Sequence, residues 1–212
     1  MLDLPNPKAG NSNTFDLAVI GAGSAGFSAA ITAAEDGARV VLIGYGTVGG
    51  TCVNVGCVPS KAMLRAVETL QSAKVADRFD GVEATAKMTD WAAMVAQKQA
   101  LVDDLRATKY VDVLPNYEGV TYIEGQVSFA EDGSLRVGHR TIRAPKVIIA
   151  TGSSPHVPDI PGLDDIDFLD STSALELAQL PKSMIVMGGG YIGVEIAQIF
   201  ARAGVKMTIV TR

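Results

Sequence analysis

The stretch FDLAVIGAGSAG, residues 15–26, decides the fold of this chain. Residues 15–20 are mostly apolar and predict a buried strand, which runs directly into glycines with the spacing G-x-G-x-x-G. A helix is predicted to follow as far as about Glu35, and residues 39–43 predict a second strand. The stretch is therefore typical of a βαβ unit, and we expect a three-layer, Rossmann-like α/β domain.

The glycines of this loop have separate roles in a unit that binds a dinucleotide. Gly21 allows the tight turn, Gly23 lets a pyrophosphate approach the backbone, and Gly26 lets the helix pack against the strand. The phosphates then meet the N-terminus of the helix, whose amides and dipole favour an anion. A glycine-rich turn without a ligand is the alternative, and the strand-loop-helix context disfavours it.

A second unit of the same kind lies near the end of the sequence. Residues 184–187 predict a strand, GGGYIG at residues 188–193 forms the loop, and residues 206–210 predict the next strand. In both units the first glycine stands sixteen positions before the glycine that ends the helix. Two such fingerprints predict two bound nucleotides, one for each unit.

The two cysteines of the chain, Cys52 and Cys57, lie between these units in GGTCVNVGCVPSK, residues 49–61. Five residues of straight helix advance about 7.5 Å, which is more than a disulfide tolerates, so the segment must bend. Gly56 relaxes the backbone there, and Pro59 suits the first turn of the helix that follows. Cys57 is then expected just before the N-terminus of that helix, where the dipole favours a thiolate.

A redox-active pair is the preferred interpretation of these cysteines, with Lys61 adding a positive charge one turn beyond Cys57. Two buried cysteines in a loop, or a structural disulfide, are the alternatives. A cytoplasmic location is expected because the chain shows no secretory signal, and lasting disulfides are unusual there. A zinc site is disfavoured because it needs four ligands, and the two histidines, His139 and His156, are distant in sequence.

Composition restricts the partners of the chain. The 212 residues carry a net charge of −5, which argues against nucleic acid and against an anionic membrane surface. No run of about 18 apolar residues is present, so no membrane span is expected.

Three segments are expected along the chain. They are a flexible lead at residues 1–14, a first nucleotide-binding domain with the cysteine pair at residues 15–180, and the start of a second domain at residues 181–212. Residues 90–113 predict a long helix inside the first domain, and residues 171–180 predict a short one. Because one βαβ unit does not complete a doubly wound sheet, we expect an N-terminal fragment of a longer protein.

Together these motifs resemble the FAD-dependent pyridine nucleotide-disulfide oxidoreductases, the family of dihydrolipoamide dehydrogenases, glutathione reductases and mercuric reductases. The resemblance covers residues 15–212, and the cysteine motif is highly specific for the family. Within the family, residues 52–61 and residues 97–110 are most similar to the mercuric reductase branch.

The resemblance implies roles for individual residues. Cys52 is implied to be the outer sulfur that exchanges with substrate, and Cys57 the thiolate against the flavin; together they would bind a metal-ion substrate. Lys61 and Glu195 are implied to form an ion pair beside the flavin ring, and Tyr191 to gate the nicotinamide pocket, the alternative being an ordinary packed aromatic residue. The positions implied to contact FAD are Gly21, Gly23, Ser24, Ala25, Gly26, Gly46, Gly50, Thr51, Lys61, Val127, Thr151, Gly152 and Ser153, and those implied to contact the nicotinamide nucleotide are Gly188, Gly190, Tyr191, Ile192, Gly193 and Arg212.

Two positions depart from the pattern of a dinucleotide-binding unit, which places an acid about twenty residues after the first glycine. In the first unit that place is Gly44, so the usual carboxylate for the adenosine ribose is missing. In the second unit it is Thr211, which Arg212 follows. An arginine without an acid predicts a site for a 2′-phosphate, and therefore NADPH rather than NADH.

The resemblance implies an enzyme that passes electrons from NADPH through FAD and the cysteine pair to Hg(II), giving Hg(0), in a cytoplasmic homodimer. Soft thiolates suit a soft metal ion. Two alternatives stay open: a disulfide reductase similar to dihydrolipoamide dehydrogenase or glutathione reductase, and a flavin- or metal-binding remnant without turnover. The family's dimerisation domain would lie beyond residue 212, so residues 1–212 alone are expected to be inactive.

Overall fold

The computed structural model describes residues 13–211, and its elements are given for that range. The strands are Leu17–Ile20 (β1), Val40–Gly44 (β2), Val120–Glu124 (β3), Val127–Phe129 (β4), Leu135–Val137 (β5), Arg140–Ile142 (β6), Val147–Ile149 (β7), Ser183–Met187 (β8) and Lys206–Val210 (β9). The α-helices are Ser24–Glu35 (α1), Gly50–Asn54 (α2), Cys57–Lys74 (α3), Trp91–Arg106 (α4), Ser171–Leu175 (α5) and Tyr191–Arg202 (α6), with short turns of other helix types at Ala76–Arg78, Ala107–Val111, Leu114–Asn116 and Leu163–Asp165.

The described residues form two compact units, and neither is continuous in sequence. The first unit contains residues 13–54 and 103–154, and the second contains residues 55–102 and 155–211. The predicted domain boundary near residue 180 stays a prediction. No helix within residues 13–211 is long and apolar enough to cross a membrane.

The first unit is organised around a parallel sheet with the strand order β3-β2-β1-β7. Every residue of β1 and β2 is buried, as expected for parallel strands that are covered on both faces. Because successive side chains of a strand point to opposite faces, each strand contributes to two separate cores. Ala18 and Ile20 of β1 pack on one face, whereas Leu17 and Val19 pack on the other.

A different layer covers each face of this sheet. On one face lies the antiparallel sheet β4-β5-β6, which contributes Leu135, Val137 and Ile142 to the core. On the other face lies α1, which contributes Phe27 and Ala30. These layers confirm the predicted three-layer α/β class. The first glycine loop lies at the edge of the sheet that is formed by the carboxyl ends of the parallel strands.

The second unit contains the parallel pair β8-β9 and the helix α6 between them. Its core joins residues of α3, α4, α5 and α6, including Met63, Trp91 and Phe200. The Trp91 indole donates to the Leu177 carbonyl at 2.7 Å, and its ring lies 5.4 Å from that of Phe200. This core fixes α3 against α6 and so positions the polar residues near their N-termini.

Several predicted boundaries are corrected by the structure. The long helix ends at Arg106 and not at residue 113, because the backbone changes there to the π-helical turn Ala107–Val111. Helix α5 ends at Leu175, five residues earlier than predicted. Cys57 is the first residue of α3, with Gly56 as N-cap, rather than the residue before the helix.

The predicted N-terminal lead falls mostly outside the described residues. Residues 1–12 are outside the described range, and Arg212 is outside it at the other end. Asn13 and Thr14, however, are paired with Arg143, whose amide donates to the Asn13 carbonyl at 2.8 Å. The predicted end of the lead at residue 14 stays a prediction.

Candidate cofactor and redox site

The first glycine loop joins β1 to α1, and two of its glycines leave no room for a side chain. A Cβ at Gly21, whose φ is +116°, would lie 2.1 Å from the Ala150 carbonyl oxygen. A Cβ at Gly26 would lie 1.8 Å from the carbonyl oxygen of Gly21. These glycines bring strand, loop and helix into contact, as the sequence predicts.

The N-terminus of α1 fits an anionic group. Its N-cap is Gly23, which has no side chain to accept the amides of the first turn at Ser24, Ala25 and Gly26, and that turn contains no acidic residue. The loop stands at the carboxyl end of β1, between the neighbours β2 and β7, where ligands bind in doubly wound sheets. The residues present therefore fit the pyrophosphate of a dinucleotide.

The beginning of the cysteine motif lies directly against this loop. Gly23 and Gly49 form a β-bridge, and the Gly49 amide donates to the Ala22 carbonyl at 2.8 Å. A Cβ at Gly50 would lie 2.7 Å from the Gly23 Cα. Gly46 has a φ of +84°, and its surroundings within residues 13–211 leave space for a Cβ. Glycine is therefore required at position 50, where a side chain would meet the backbone of the first loop.

Several of the other predicted FAD-contacting residues lie near this loop. Thr51 Oγ1 is 3.4 Å from the Ser153 carbonyl oxygen, so the start of α2 meets the exposed segment that contains Thr151 and Gly152. Val127 begins β4, where it is partly buried against the core. The structure thus groups residues 49–51 and 151–153 at the loop, whereas Val127 belongs to the antiparallel sheet.

Tyr110 also belongs to this region, although the sequence motifs assigned no role to it. Its hydroxyl is 2.8 Å from Ser24 Oγ, and its ring packs edge-on against Phe27 with a centroid distance of 5.0 Å. A Cβ at Gly49 would also lie 3.2 Å from the Tyr110 ring. The Tyr110 ring thereby joins the glycine loop to the cysteine motif, and the 86 positions between Tyr110 and Ser24 explain why no local pattern revealed it.

Gly44, where an acid is usual, has no space for one. A Cβ at this position would lie 2.6 Å from the Tyr122 hydroxyl and 2.8 Å from the Ala22 Cβ. Tyr122 is buried, and its burial, together with the charge of Glu124, raises its pKa to about 12. The phenol therefore stays neutral at physiological pH and occupies the place of the missing side chain.

The two cysteines lie on successive helices of the chain, and both are exposed. Cys52 is in α2, and Cys57 is the first residue of α3. Asn54 supports the end of α2, because its amide donates to the carbonyls of Val48 and Gly50 at 2.9 and 2.8 Å. Arg106 donates in turn to the Asn54 side-chain oxygen at 3.0 Å. The predicted break between the cysteines is present at Val55 and Gly56.

Lys61 and Glu195 form an ion pair in the second unit, as the resemblance implies. Lys61 Nζ donates to Glu195 Oε1 at 2.6 Å, with the two side chains 57% and 31% exposed. The Ser60 hydroxyl lies 3.3 Å from Glu195 Oε2 and 3.4 Å from the Cys57 carbonyl oxygen. Ser60 therefore connects the first turn of α3, which begins at Cys57, to the same carboxylate.

The second glycine loop has the geometry of the first. Gly188 has a φ of +111°, and a Cβ at Gly193 would lie 2.2 Å from the Gly188 carbonyl oxygen. Gly190 is the N-cap of α6 and provides no side-chain cap. The next two residues, Tyr191 and Ile192, are 81% and 50% exposed.

Thr211 occupies the position beside this loop that Gly44 occupies beside the first. A Cβ at Gly189 would lie 3.3 Å from Thr211 Oγ1. A threonine hydroxyl carries no charge, so it does not repel a phosphate on the ribose. Arg212, the predicted ligand of that phosphate, lies outside the described residues.

The fold defines an α/β protein with two glycine loops typical of dinucleotide binding, and the two cysteines lie between these loops in the sequence. The chain belongs to the family "Pyridine nucleotide-disulphide oxidoreductase", which matches residues 15–212. Membership of this family of oxidoreductases implies a flavin and a pyridine nucleotide as cofactors.

Individual relatives support the same assignment. The chain is 47% identical over 203 residues to a mercuric reductase of Streptomyces lividans, covering 93% of this chain and 43% of the relative. It is 45% identical over 198 residues to a mercuric reductase of Staphylococcus aureus, covering 93% of this chain and 36% of the relative. The chain thus spans less than half the length of these relatives.

A solved structure has the same fold. The HOCl-induced flavoprotein disulfide reductase RclA from Escherichia coli matches with a TM-score of 0.77 at 35% sequence identity. The match covers 92% of this chain and 41% of that protein.

Proposed function

We propose that this chain is part of an NADPH-dependent mercuric reductase and holds its FAD and its redox-active cysteine pair. The observation that carries the proposal is the cysteine motif together with its ion pair. Cys57 begins α3, and Lys61, one turn later, is held by Glu195 at 2.6 Å. The identity of 47% to a mercuric reductase directs the choice of substrate within the family.

One hydride equivalent from NADPH balances the overall reduction of Hg(II). NADPH and Hg(II) give NADP⁺, a proton and Hg(0), so two electrons pass from the nicotinamide to the metal ion. FAD supplies the two-electron relay between the nucleotide and the protein sulfurs when it is bound. The chain itself contributes the two sulfurs, and soft thiolates are suitable ligands for a soft ion such as Hg(II).

Each group of side chains has a distinct task in this proposal. The glycine loops receive the phosphates of FAD and NADPH at the N-termini of α1 and α6. Cys57, the first residue of α3, is the sulfur that lies against the flavin, and Lys61 stands one turn beyond it. Cys52 exchanges with the substrate, and Tyr191, exposed at the start of α6, closes over the nicotinamide.

A disulfide reductase is the second candidate. The similarity to RclA, which is described as a flavoprotein disulfide reductase, favours it, because a dithiol reduces a disulfide such as oxidised lipoamide or glutathione disulfide. A flavin- or metal-binding protein without turnover is the remaining candidate. The cytoplasmic location and the homodimer predicted from the sequence belong to the proposal for the whole protein.

The test uses the full-length protein that contains this chain. NADPH oxidation is measured with Hg(II) in excess small thiol, and separately with oxidised lipoamide and with glutathione disulfide. We expect turnover with Hg(II) and its loss in Cys52→Ser and in Cys57→Ser. Turnover with a disulfide but not with Hg(II) would establish the second candidate, and absence of turnover with all three acceptors would establish the third.

The assignment of the two sulfurs has its own optical test in the same protein. A thiolate beside an oxidised flavin gives a long-wavelength charge-transfer absorbance. We expect Cys57→Ser to abolish this band and Cys52→Ser to show it without reduction. A band that persists in Cys57→Ser would reverse the roles given to the two cysteines.

Coenzyme preference tests the role of Thr211 and Arg212. A charge-assisted contact to the 2′-phosphate contributes about 1.5–3 kcal/mol, so kcat/KM should favour NADPH by tenfold or more. We expect Arg212→Ala to lower kcat/KM for NADPH while leaving that for NADH nearly unchanged. An equal loss with both coenzymes would show that Arg212 does not bind the 2′-phosphate.

A further inference from the structure

The first unit lacks the carboxylate that usually binds the ribose hydroxyls of a dinucleotide, and its structure excludes any side chain at that place. A Cβ at Gly44 would lie 2.6 Å from the Tyr122 hydroxyl, 2.8 Å from the Ala22 Cβ and 2.9 Å from the Tyr122 ring. An acid introduced there would have to displace a buried aromatic residue. Position 44 therefore offers no carboxylate to a ribose.

The neighbouring strand β3 ends in the acidic residue Glu124, directly beside Gly44 at the end of β2. The four parallel strands end at Ile20, Gly44, Glu124 and Ile149, and of these Glu124 is the acidic one. Gly44 and Glu124 are paired residues in the parallel register of β2 and β3. The Gly125 amide donates to the Gly44 carbonyl at 2.8 Å, so the two strand ends stay together beyond the last pair.

The register also determines which face of the sheet Glu124 is on. Tyr122 and Glu124 are two positions apart in β3, so their side chains project to the same face. The Tyr122 hydroxyl lies where the Cβ of residue 44 would be, so that face is the one to which a side chain at position 44 would point. Glu124 is exposed on this face, and its charge helps to raise the pKa of the buried Tyr122, which agrees with a carboxylate close to the phenol.

We propose that Glu124 supplies the carboxylate that accepts hydrogen bonds from the adenosine ribose of FAD, in place of the side chain that position 44 lacks. The acceptor is thereby moved sideways by one strand, from the end of β2 to the end of β3. Tyr122 fills the vacated place with a neutral ring and keeps water out of it. The inference rests on the proposed binding of FAD to the first glycine loop.

The experiment measures FAD and FMN affinity by flavin fluorescence, with apoprotein prepared from the full-length protein. Glu124→Gln keeps the size of the side chain and removes its charge. A hydrogen bond to a charged group is lost, so we expect the Kd for FAD to rise about tenfold or more. The Kd for FMN, which has no adenosine, should not change. FAD whose adenosine lacks the 2′-hydroxyl should bind the wild type more weakly and should lose less in Glu124→Gln than FAD does.

Glu118→Gln is the matched control, because Glu118 is exposed near the opposite, amino end of β3. It should bind FAD as the wild type does. An unchanged FAD affinity in Glu124→Gln would overturn the inference while leaving the proposed function intact. An equal loss for FAD and FMN would overturn it as well, because it would indicate a structural role. Failure of the wild type to bind FAD would overturn the proposed function itself.

Discussion

The two glycine loops of this chain are nearly the same in backbone, yet they stand in different surroundings. Their first glycines have φ values of +116° and +111°, and their third glycines would place a Cβ 1.8 and 2.2 Å from the carbonyl oxygen of the first. Both following helices have a glycine N-cap and no acid in the first turn. The fingerprint therefore specifies a loop that admits phosphate, and it specifies little else.

The differences lie in the residues that meet each loop. Ala150 closes on Gly21, with its carbonyl oxygen 2.1 Å from a Cβ built there, and Thr211 meets the second loop, with its Oγ1 3.3 Å from a Cβ built at Gly189. At the place of the ribose-binding acid, the first loop has Gly44 and the second has Thr211. We therefore expect the choice of nucleotide at each loop to depend on residues outside the glycines, in particular on the residue at the end of the next strand.

The largest expected effect concerns the close packing inside the first loop. Gly26→Ala puts a methyl group 1.8 Å from a backbone oxygen, so the helix or the loop must move. We expect a loss of about 3 kcal/mol in the free energy of unfolding, measured by chemical denaturation. Gly193→Ala, with its contact at 2.2 Å, should have a similar effect on the second unit.

Gly23→Ala is the control for this prediction, because its Cβ would meet the Gly50 Cα at an ordinary 3.5 Å. The free energy of unfolding should change by less than about 1 kcal/mol. FAD should nevertheless bind more weakly, since the methyl group stands where the pyrophosphate approaches. Comparable destabilisation by both substitutions would show that steric contact at Gly26 is not the reason for its glycine.

The sequence predicted the parts of the structure that depend on near neighbours. Apolar runs and glycine spacing located β1, α1, β8 and α6, because a strand that leads into a glycine loop and a helix is a local pattern. Short strands such as β6 give no such pattern, since only Ile142 of β6 is fully buried and no alternation is visible. Local patterns thus predicted the strand, glycine loop and helix of both nucleotide-binding units.

The missed parts of the site depend on residues that are distant in sequence. Ser60 and Glu195 are 135 positions apart, and Tyr122 reaches Gly44 from another strand. The resemblance to a known family, rather than any spacing, suggested the pair of Lys61 and Glu195. It was silent on Tyr122, because Gly44 is itself a departure from the family pattern.

An intermediate effect is expected where a helix supplies its own cap. Helix α5 differs from α1 and α6 because Asp170 Oδ1 accepts the amides of Thr172 and Ser173 at 2.9 and 2.8 Å. Asp170→Ala should cost about 1 kcal/mol in the free energy of unfolding at pH 7. The open helices α1 and α6, by contrast, have no such side chain to lose.

The pH dependence of this cap follows from the direction of its pKa. The backbone hydrogen bond from Ser173 is the largest cause that lowers the pKa of Asp170 in the folded chain, against a smaller opposing effect of burial. The stabilisation is therefore fully present above the ordinary pKa of an aspartate, about 3.9, and is lost as the pH falls through the lowered value. The difference between wild type and Asp170→Ala should shrink on acidification; a constant difference would contradict the assigned cause.

The smallest expected effect on stability concerns Glu195, which stands where the first helix has Ser28. The ion pair with Lys61 is partly exposed on both sides, so water screens it, and exposed pairs contribute about 0–1 kcal/mol. Glu195→Gln keeps the shape of the side chain and should therefore lower the free energy of unfolding by less than about 1 kcal/mol. The loss should diminish further as salt is added. If the chain instead loses several kcal/mol, the carboxylate is a structural element of the α3–α6 packing. A small loss would leave its charge available to hold Lys61 beside the cysteine motif, and any large fall in turnover of the full-length variant would then report on chemistry rather than folding.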